Sequence, residues 1–170
     1  KNVRVDVPLV GDLKVVVDDL NTLVEPTEHT AWLAQIADWR AETEERDIMA
    51  WPKDDLLHAS HVIRGIWQHT GGDAVVTTDV GQHQMWTAQY YHFEQPFRWI
   101  TSGGAGTMRF GLPSAIGAWF GHRERSVWAI VGDGGYQMTQ ADLTTAMQEG
   151  ANVKIAIINN GYLGMVRQRQ

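Results

Sequence analysis

The residues best suited to chemistry lie between Gly132 and Asn160, where an acidic Gly-Asp-Gly segment is followed by a pair of asparagines. Asp133 offers a carboxylate and Asn160 an amide oxygen. Hard oxygen donors of this kind suit Mg²⁺ or Ca²⁺ better than Zn²⁺, which prefers histidine and cysteine. Glycines at 132, 134 and 135 let the backbone approach a phosphate closely. The pattern predicts a divalent metal held against a diphosphate, and a solvated turn is the alternative.

Two strands and a helix are needed to bring these donors together. Residues 126–131 and 153–158 are short apolar runs typical of buried parallel strands. Between them, Thr139 and Asp142 form a T-x-x-D capping pattern that predicts one helix of about three turns, ending at Gly150. A right-handed β-α-β unit returns both strand ends to one edge of the sheet. We therefore expect Asp133 and Asn160 to meet in space.

A second loop of this kind follows residues 74–80, a β-branched run that predicts another strand. Gly81, Gln82 and His83 come directly after it. Ligands of doubly wound sheets bind at the carboxyl edge, near the point where the strand order reverses. Gln82 and His83 carry donors suited to phosphate oxygens, and capping of the next helix by His83 is the alternative. This loop is the predicted second half of the diphosphate site.

Composition limits the classes of function. The 170 residues carry a net charge of −6 and are 44% hydrophobic, which is enough for one domain with an appendage. The acidic balance argues against a nucleic-acid partner, and no apolar run of about 18 residues predicts a membrane span. The glycine-rich stretch 103–111 is no dinucleotide fingerprint, because Arg109 stands in place of the last glycine. The lack of cysteine fits a reducing compartment.

Four stretches together resemble thiamine-diphosphate-dependent enzymes and, within that group, the large catalytic subunit of acetohydroxyacid synthase (acetolactate synthase). They are residues 79–91 (DVGQHQMWTAQYY), 99–118 (WITSGGAGTMRFGLPSAIGA), 132–160 and 159–170 (NNGYLGMVRQRQ). The resemblance implies an α/β fold with a doubly wound parallel sheet, preceded by the tail of a central α/β domain. Residues 1–25 would end that central, FAD-type domain, 26–50 would form a helical linker, and 51–170 would form a thiamine-diphosphate-binding domain, incomplete at its carboxyl end.

The resemblance also implies roles for individual residues. The Asp133 carboxylate, the Asn160 amide oxygen and the Tyr162 backbone carbonyl would hold Mg²⁺, and Met108 would support the bent cofactor. Arg169 would lie on the substrate channel where the family usually has tryptophan, and Arg109 replaces a usual glycine. The implied cofactor-binding residues are Val80, Gly81, Gln82, His83, Gly106, Thr107, Met108, Gly132, Asp133, Gly134, Gly135, Asn160, Tyr162, Leu163, Gly164 and Met165.

The implied activity is decarboxylation of pyruvate and its ligation to a second 2-keto acid, on the route to branched-chain amino acids. The resemblance also implies FAD in the full-length protein, a homodimer or tetramer with the cofactor at the subunit interface, and an optional regulatory small subunit. The activating glutamate belongs to an amino-terminal domain, so the chain alone is expected to be inactive. A cytoplasmic, bacterial location is expected, with a plastid left open. The alternatives are a glyoxylate carboligase, a sulfoacetaldehyde acetyltransferase, a 2-keto acid decarboxylase, or a catalytically silent binding module.

Overall fold

The structure is a computed structural model that describes residues 3–45 and 56–170. The chain divides into two compact units, residues 1–47 and 48–170. Helices α1 (Leu13–Leu23) and α2 (Thr30–Glu45) belong to the first unit. The Asp12 carboxylate caps α1 by accepting hydrogen bonds from the backbone N–H groups of Lys14 and Val15. The apolar spacing after Gly11 and around residues 32–39 predicts both helices, whereas the apolar run at residues 3–7, which predicts a short strand, has no regular structure.

The second unit is built on a four-stranded sheet in which every pairing is parallel. The strands are β1 (Val75–Thr78), β2 (Trp99–Thr101), β3 (Val127–Gly132) and β4 (Val153–Ile158). Their spatial order is β2, β1, β3, β4. β1 and β3 are almost fully buried, as expected of central strands covered by helices on both faces.

Helices cover both faces of this sheet. They are α3 (Ala59–Thr70), α4 (Gln82–Tyr90), α5 (Gly111–Gly121), α6 (Asp133–Thr139) and α7 (Leu143–Gln148). A short helix, α8 (Gly164–Arg169), follows β4 and has no buried residue. Successive strand residues alternate between the faces. Val76 and Ile130 pack with Ile63 of α3, whereas Val75 and Val131 pack with the α5 core. None of the helices described has the length and apolar character needed to cross a membrane.

The sheet is doubly wound, as the sequence predicts. From β1 the chain passes through α4 to β2 on one side, and it then returns through α5 to β3 on the other side of β1. The strand order therefore reverses between β1 and β3. In open α/β sheets, ligands bind just outside the carboxyl ends of the strands at such a reversal.

The segment after β3 differs from the prediction of a single helix that starts near Thr139. Helix α6 begins at Asp133 and ends at Thr139, and a 3₁₀ turn over residues 140–142 separates it from α7. The buried Thr139 hydroxyl makes no hydrogen bond, so the T-x-x-D pattern is not a capping box. Gly132 has an extended backbone and is already the N-cap of α6, which places Asp133 in the first helical turn.

Other predicted boundaries shift by a few residues. The predicted strand at residues 74–80 is shorter, because β1 ends at Thr78 and Asp79 already turns toward the site. The apolar spacing in residues 53–70 predicts one helix over that range, whereas α3 starts at Ala59, and residues 53–55 lie outside the described part of the chain. The predicted opening of the main domain at Trp51 falls in that same undescribed segment.

Candidate functional site

A cleft opens at the carboxyl edge of the sheet, where the strand order reverses between β1 and β3. Its empty volume, which includes space open to solvent, is about 540 Å³. The segments after β1, β3 and β4 form its polar side, and Met108 and α8 contribute apolar side chains. All the predicted cofactor-binding residues line this cleft except Gly106 and Thr107.

Gly106 and Thr107 lie in the exposed loop between β2 and α5. A side chain at Gly106 would contact Val80 Cγ1 at 3.8 Å, and the backbone N–H of Thr107 donates to Ser102 Oγ at 2.9 Å. Arg169 also lies outside the lining, exposed in the last turn of α8. The structure thus brings the predicted site together from four chain segments, with these three residues around it.

The two predicted halves of the site are joined by a side-chain hydrogen bond. Asn160, after β4, donates from Nδ2 to Oε1 of Gln82, after β1, at 2.7 Å. β3 lies between these two strands in the sheet, so the bond passes across its carboxyl end. A Cβ at Gly164 would collide with Gln82 Oε1 and lie 3.0 Å from Asn160 Nδ2. A side chain at residue 164 would therefore have to displace the Gln82 amide from this bond.

The three predicted metal donors line the same cleft. Asp133 stands at the carboxyl end of β3, and Asn160 Oδ1 accepts a hydrogen bond from the Tyr162 N–H at 3.1 Å. Because a carbonyl oxygen has two lone pairs, Asn160 Oδ1 keeps one for a metal ion. The Arg167 guanidinium lies 3.8 Å from the Tyr162 ring centroid, which anchors the ring. The described residues contain no cluster of three or more His, Cys, Asp or Glu for a metal.

His83 presents a buried imidazole to the cleft. It is the second residue of α4, and Gly81 is the N-cap of that helix, so His83 is not the cap. A Cβ at Gly132 would lie 3.0 Å from its ring, and its Nε2 has no hydrogen-bond partner. Burial lowers the pKa of His83, while the Asp79 charge, a hydrogen bond to the Asp79 backbone and the Asp133 charge oppose that shift. A neutral imidazole has one donor nitrogen, and that nitrogen can donate a hydrogen bond to an anionic ligand.

Asp79 supports the cleft from beneath, and no role was predicted for it. The residue is 1% exposed, Oδ1 accepts from the Phe110 N–H at 3.0 Å, and Oδ2 has no partner among the described residues. A Cβ at Gly135 would coincide with Oδ2, so α6 packs directly on this carboxylate. Asp79 thereby connects the end of β1 to the turn that follows Met108. An aspartate directly after a buried strand was the available signal.

Three apolar lining residues were also missed: Trp86, Ile158 and Val166. Trp86 follows Gln82 by four residues in α4, so the two side chains share a helix face. Ile158 ends β4 immediately before the asparagine pair. With Met108 and Leu163, these side chains form the apolar part of a lining whose polar groups come from Gln82, His83, Asp133 and Asn160. Such a cleft suits a ligand with one apolar part and one anionic part.

Comparison with known families identifies the class of protein. Residues 79–170 match the family described as "Thiamine pyrophosphate enzyme, C-terminal TPP binding domain". That span covers more than half of the chain and includes every predicted site residue. The chain therefore belongs to the thiamine pyrophosphate (thiamine diphosphate) enzymes and contains their cofactor-binding carboxyl-terminal domain.

Individual relatives narrow the comparison further. The chain is 43% identical, over its whole length, to acetolactate synthase of Mycobacterium bovis, and it spans 28% of that protein. It is 42% identical to the acetolactate synthase isozyme 3 large subunit of Escherichia coli K12 and 40% identical to the large subunit of Lactococcus lactis, again over its full length. The chain spans 30% and 29% of those two proteins.

The residues of the cleft fit thiamine diphosphate with a divalent metal. His83 lines the cleft, and its buried Nε2 has no hydrogen-bond partner among the described residues. Gly132, Gly134 and Gly164 keep the space clear of side-chain atoms next to His83, Leu163 and Gln82. One carboxylate, one amide oxygen and one backbone carbonyl form an all-oxygen donor set, which Mg²⁺ completes with phosphate oxygens and water.

Proposed function

We propose that this chain is the cofactor-binding part of an acetolactate synthase large subunit, which joins two 2-keto acids with loss of CO₂. Bound thiamine diphosphate would supply the means to stabilise the negative charge left by decarboxylation. Mg²⁺ would be held by Asp133, the Asn160 side chain and the Tyr162 carbonyl. The convergence of these donors with Gln82 and His83 in one cleft supports the proposal.

Each part of the cleft has a distinct task in this proposal. Gln82 and His83 would bind the diphosphate at the end of β1, and Asp133, Asn160 and Tyr162 would hold the metal that offsets its charge. Met108 supports the organic part of the cofactor, while Leu163 and Met165 keep water from it. Exclusion of water strengthens the electrostatic interactions of the bound cofactor. Arg169 would lie further out, on the path by which the keto acid arrives.

The whole enzyme requires more than this domain. We assign the glutamate that activates the cofactor, and FAD, to parts of the full-length protein outside residues 1–170. A homo-oligomer would place the cofactor at a subunit interface, and a regulatory small subunit would be an additional partner. The protein would act in the cytoplasm on pyruvate and a second 2-keto acid. This chain alone would bind cofactor without turnover.

Calorimetric titration of the full-length protein tests the binding part of the proposal. Thiamine diphosphate should bind in the presence of Mg²⁺ and much more weakly with the metal removed by chelation. Asp133→Ala should lose the metal-dependent gain in affinity, because it removes the one charged metal donor. The matched control is Asp142→Ala, which removes an acidic side chain from the 3₁₀ turn outside the cleft lining. Equal loss in both variants, or no cofactor binding by the unaltered protein, contradicts the proposal.

Product analysis tests the reaction. The full-length protein should convert pyruvate to acetolactate, which is a product of ligation. Release of acetaldehyde as the main product would instead identify a decarboxylase. Cofactor binding without any turnover would identify a silent binding module.

A further inference from the structure

The carboxamide of Asn160 is held at both of its ends. Its Oδ1 accepts from the Tyr162 N–H at 3.1 Å, and its Nδ2 donates to Gln82 Oε1 at 2.7 Å. The first bond requires the oxygen to face the 160–162 turn, so the nitrogen must face Gln82. The Gln82 amide is oriented in return, because its oxygen must accept this hydrogen bond. Each side chain therefore fixes the rotation of the other.

The position of Gln82 makes this pairing specific. Gln82 is the first residue of α4, 78 residues away from Asn160 in the chain, and the bond crosses the end of β3, where Asp133 begins α6. Gly164 packs against the same two amide groups, and a Cβ there would displace Gln82. Gln82 Nε2 makes no hydrogen bond to any residue in 3–45 or 56–170, so both of its N–H groups are available to an anion.

We propose that Gln82 is a positioning residue for the metal site: through Oε1 it holds the Asn160 carboxamide so that the free lone pair of Oδ1 faces the ion. This inference rests on the proposed function of the cleft. The two ends of the Gln82 amide then serve different ligands. Oε1 acts on the metal through Asn160, and Nε2 acts on the diphosphate directly. Outer contacts that orient a metal ligand typically change metal affinity by about 10- to 100-fold when they are removed.

Two substitutions at residue 82 separate these tasks. Gln82→Met keeps the length of the side chain but has neither the acceptor nor the donors. Gln82→Glu keeps an acceptor for Asn160 Nδ2, loses the donors and adds a negative charge. Both should weaken binding of thiamine diphosphate. Only Gln82→Met should weaken binding of Mg²⁺ to the cofactor-saturated protein, by about 10-fold or more, whereas Gln82→Glu should bind the ion about as well as the unaltered protein.

The measurement is titration of Mg²⁺ into full-length protein saturated with thiamine diphosphate. Binding is monitored by calorimetry and by tryptophan fluorescence, since Trp86 lines the cleft. Gly164→Ala provides an independent test, because it disturbs the Gln82–Asn160 bond without replacing either amide side chain. It should weaken Mg²⁺ binding as Gln82→Met does. Gln84→Met is the matched control: Gln84 lies in the same helix but bonds to Thr101 Oγ1 at 2.8 Å, outside the cleft lining.

The outcomes distinguish the two proposals. If the unaltered protein binds neither cofactor nor metal, the proposed function fails, and this inference fails with it. If the unaltered protein binds both, but Gln82→Met and Gln82→Glu have the same Mg²⁺ affinity, Gln82 serves only the diphosphate and the inference alone is wrong. A loss of Mg²⁺ affinity in Gln84→Met equal to that in Gln82→Met would also overturn it, since a general disturbance of α4 would then explain the effect.

Discussion

At the scale of single residues, Arg109 shows how a side chain can conflict with the backbone beside a site. Its φ is 74°, in the left-handed region that costs residues other than glycine about 1–2 kcal/mol. The Asp79 carboxylate binds the N–H of the next residue, Phe110, which holds the turn in this conformation. The structure therefore explains why the related family usually has glycine here, and it shows that the turn forms despite the arginine.

Replacement of Arg109 by glycine should give a more stable protein than its replacement by alanine. Arg109→Gly should raise the free energy of unfolding by about 1 kcal/mol relative to Arg109→Ala, because both lose the charge but only glycine relieves the strained φ. Urea denaturation of the two variants measures the difference. Equal stability would show that the backbone at residue 109 is not strained.

His83 makes the stability of the cofactor-free protein depend on pH. Burial lowers its pKa below the ordinary value of about 6.5, so the unfolded state takes up a proton before the folded state does. The stabilisation is complete above about pH 6.5 and is lost as the pH falls through the folded-state pKa. His83→Gln should therefore lose less stability than the unaltered protein between about pH 7 and pH 5. Urea denaturation at both values checks this, with the exposed His69→Gln as control, and identical pH dependence in all three proteins would contradict it.

At the scale of elements, the approach of α6 to the end of β1 positions Asp133. Gly135 lies against the buried Asp79 carboxylate. A Cβ at Gly111, at the start of α5, would lie only 2.8 Å from the Asp79 backbone nitrogen. Helices α5 and α6 thus both pack closely on the end of β1, and each contact requires a glycine, Gly111 in α5 and Gly135 in α6. This packing sets the distance between the loop after β1 and the loop after β3.

Two helical glycines should respond in opposite ways to alanine. Gly135→Ala should destabilise the protein by about 1–3 kcal/mol, because the new methyl group would overlap Asp79. Gly117→Ala in α5 should stabilise it by about 0.5–1 kcal/mol, since Gly117 is exposed, has no atom within 4 Å of a built Cβ, and gains helix propensity. Thermal and urea denaturation of both variants test the pair. Changes of the same sign and size would contradict this account of the packing.

At the scale of the whole sheet, ion pairs connect the strands at the edge opposite the cleft. Asp73, just before β1, accepts from Arg125 Nη1 at 2.6 and 2.7 Å and lies 3.3 Å from Arg98 Nη2. Arg98 precedes β2 and Arg125 precedes β3, so one carboxylate connects the amino ends of three neighbouring strands. The Arg98 side chain is only 14% exposed, which makes its pairing with Asp73 less dependent on solvent than an ordinary surface pair.

Removing this carboxylate should cost more than removing an isolated surface charge. Asp73→Ala should lower the free energy of unfolding by about 1 kcal/mol, and the loss should shrink in about 1 M salt because the Asp73 side chain is partly exposed to solvent. Asp18→Ala is the control, since Asp18 forms an exposed ion pair with Lys14, one turn away in α1. Denaturation at low and high salt measures both. Equal losses, or a loss independent of salt, would contradict an electrostatic role for Asp73.

Local patterns in the sequence predicted the class of fold and the loops at the strand ends, and the family resemblance supplied most of the other lining residues. Patterns suffice for the first part because β-branched runs predict buried strands, and glycine with polar residues at each strand end predicts ligand-binding loops. A right-handed parallel connection then requires those ends to meet at one edge. Asp133, Asn160 and His83 were placed together by this reasoning, and they line one cleft in the structure.

The tertiary structure alone decided which side chains touch. Asn160 bonds to Gln82, and Gly135 packs on Asp79, although the residues of each pair are far apart in the chain. Trp86 lines the cleft although no sequence pattern marks it as a site residue. The boundaries after β3 also depended on packing, because Gly132 ends the strand and caps the helix at once. Local propensities determine which elements form, whereas contacts between distant residues, which depend on shape and burial, determine the geometry of the site.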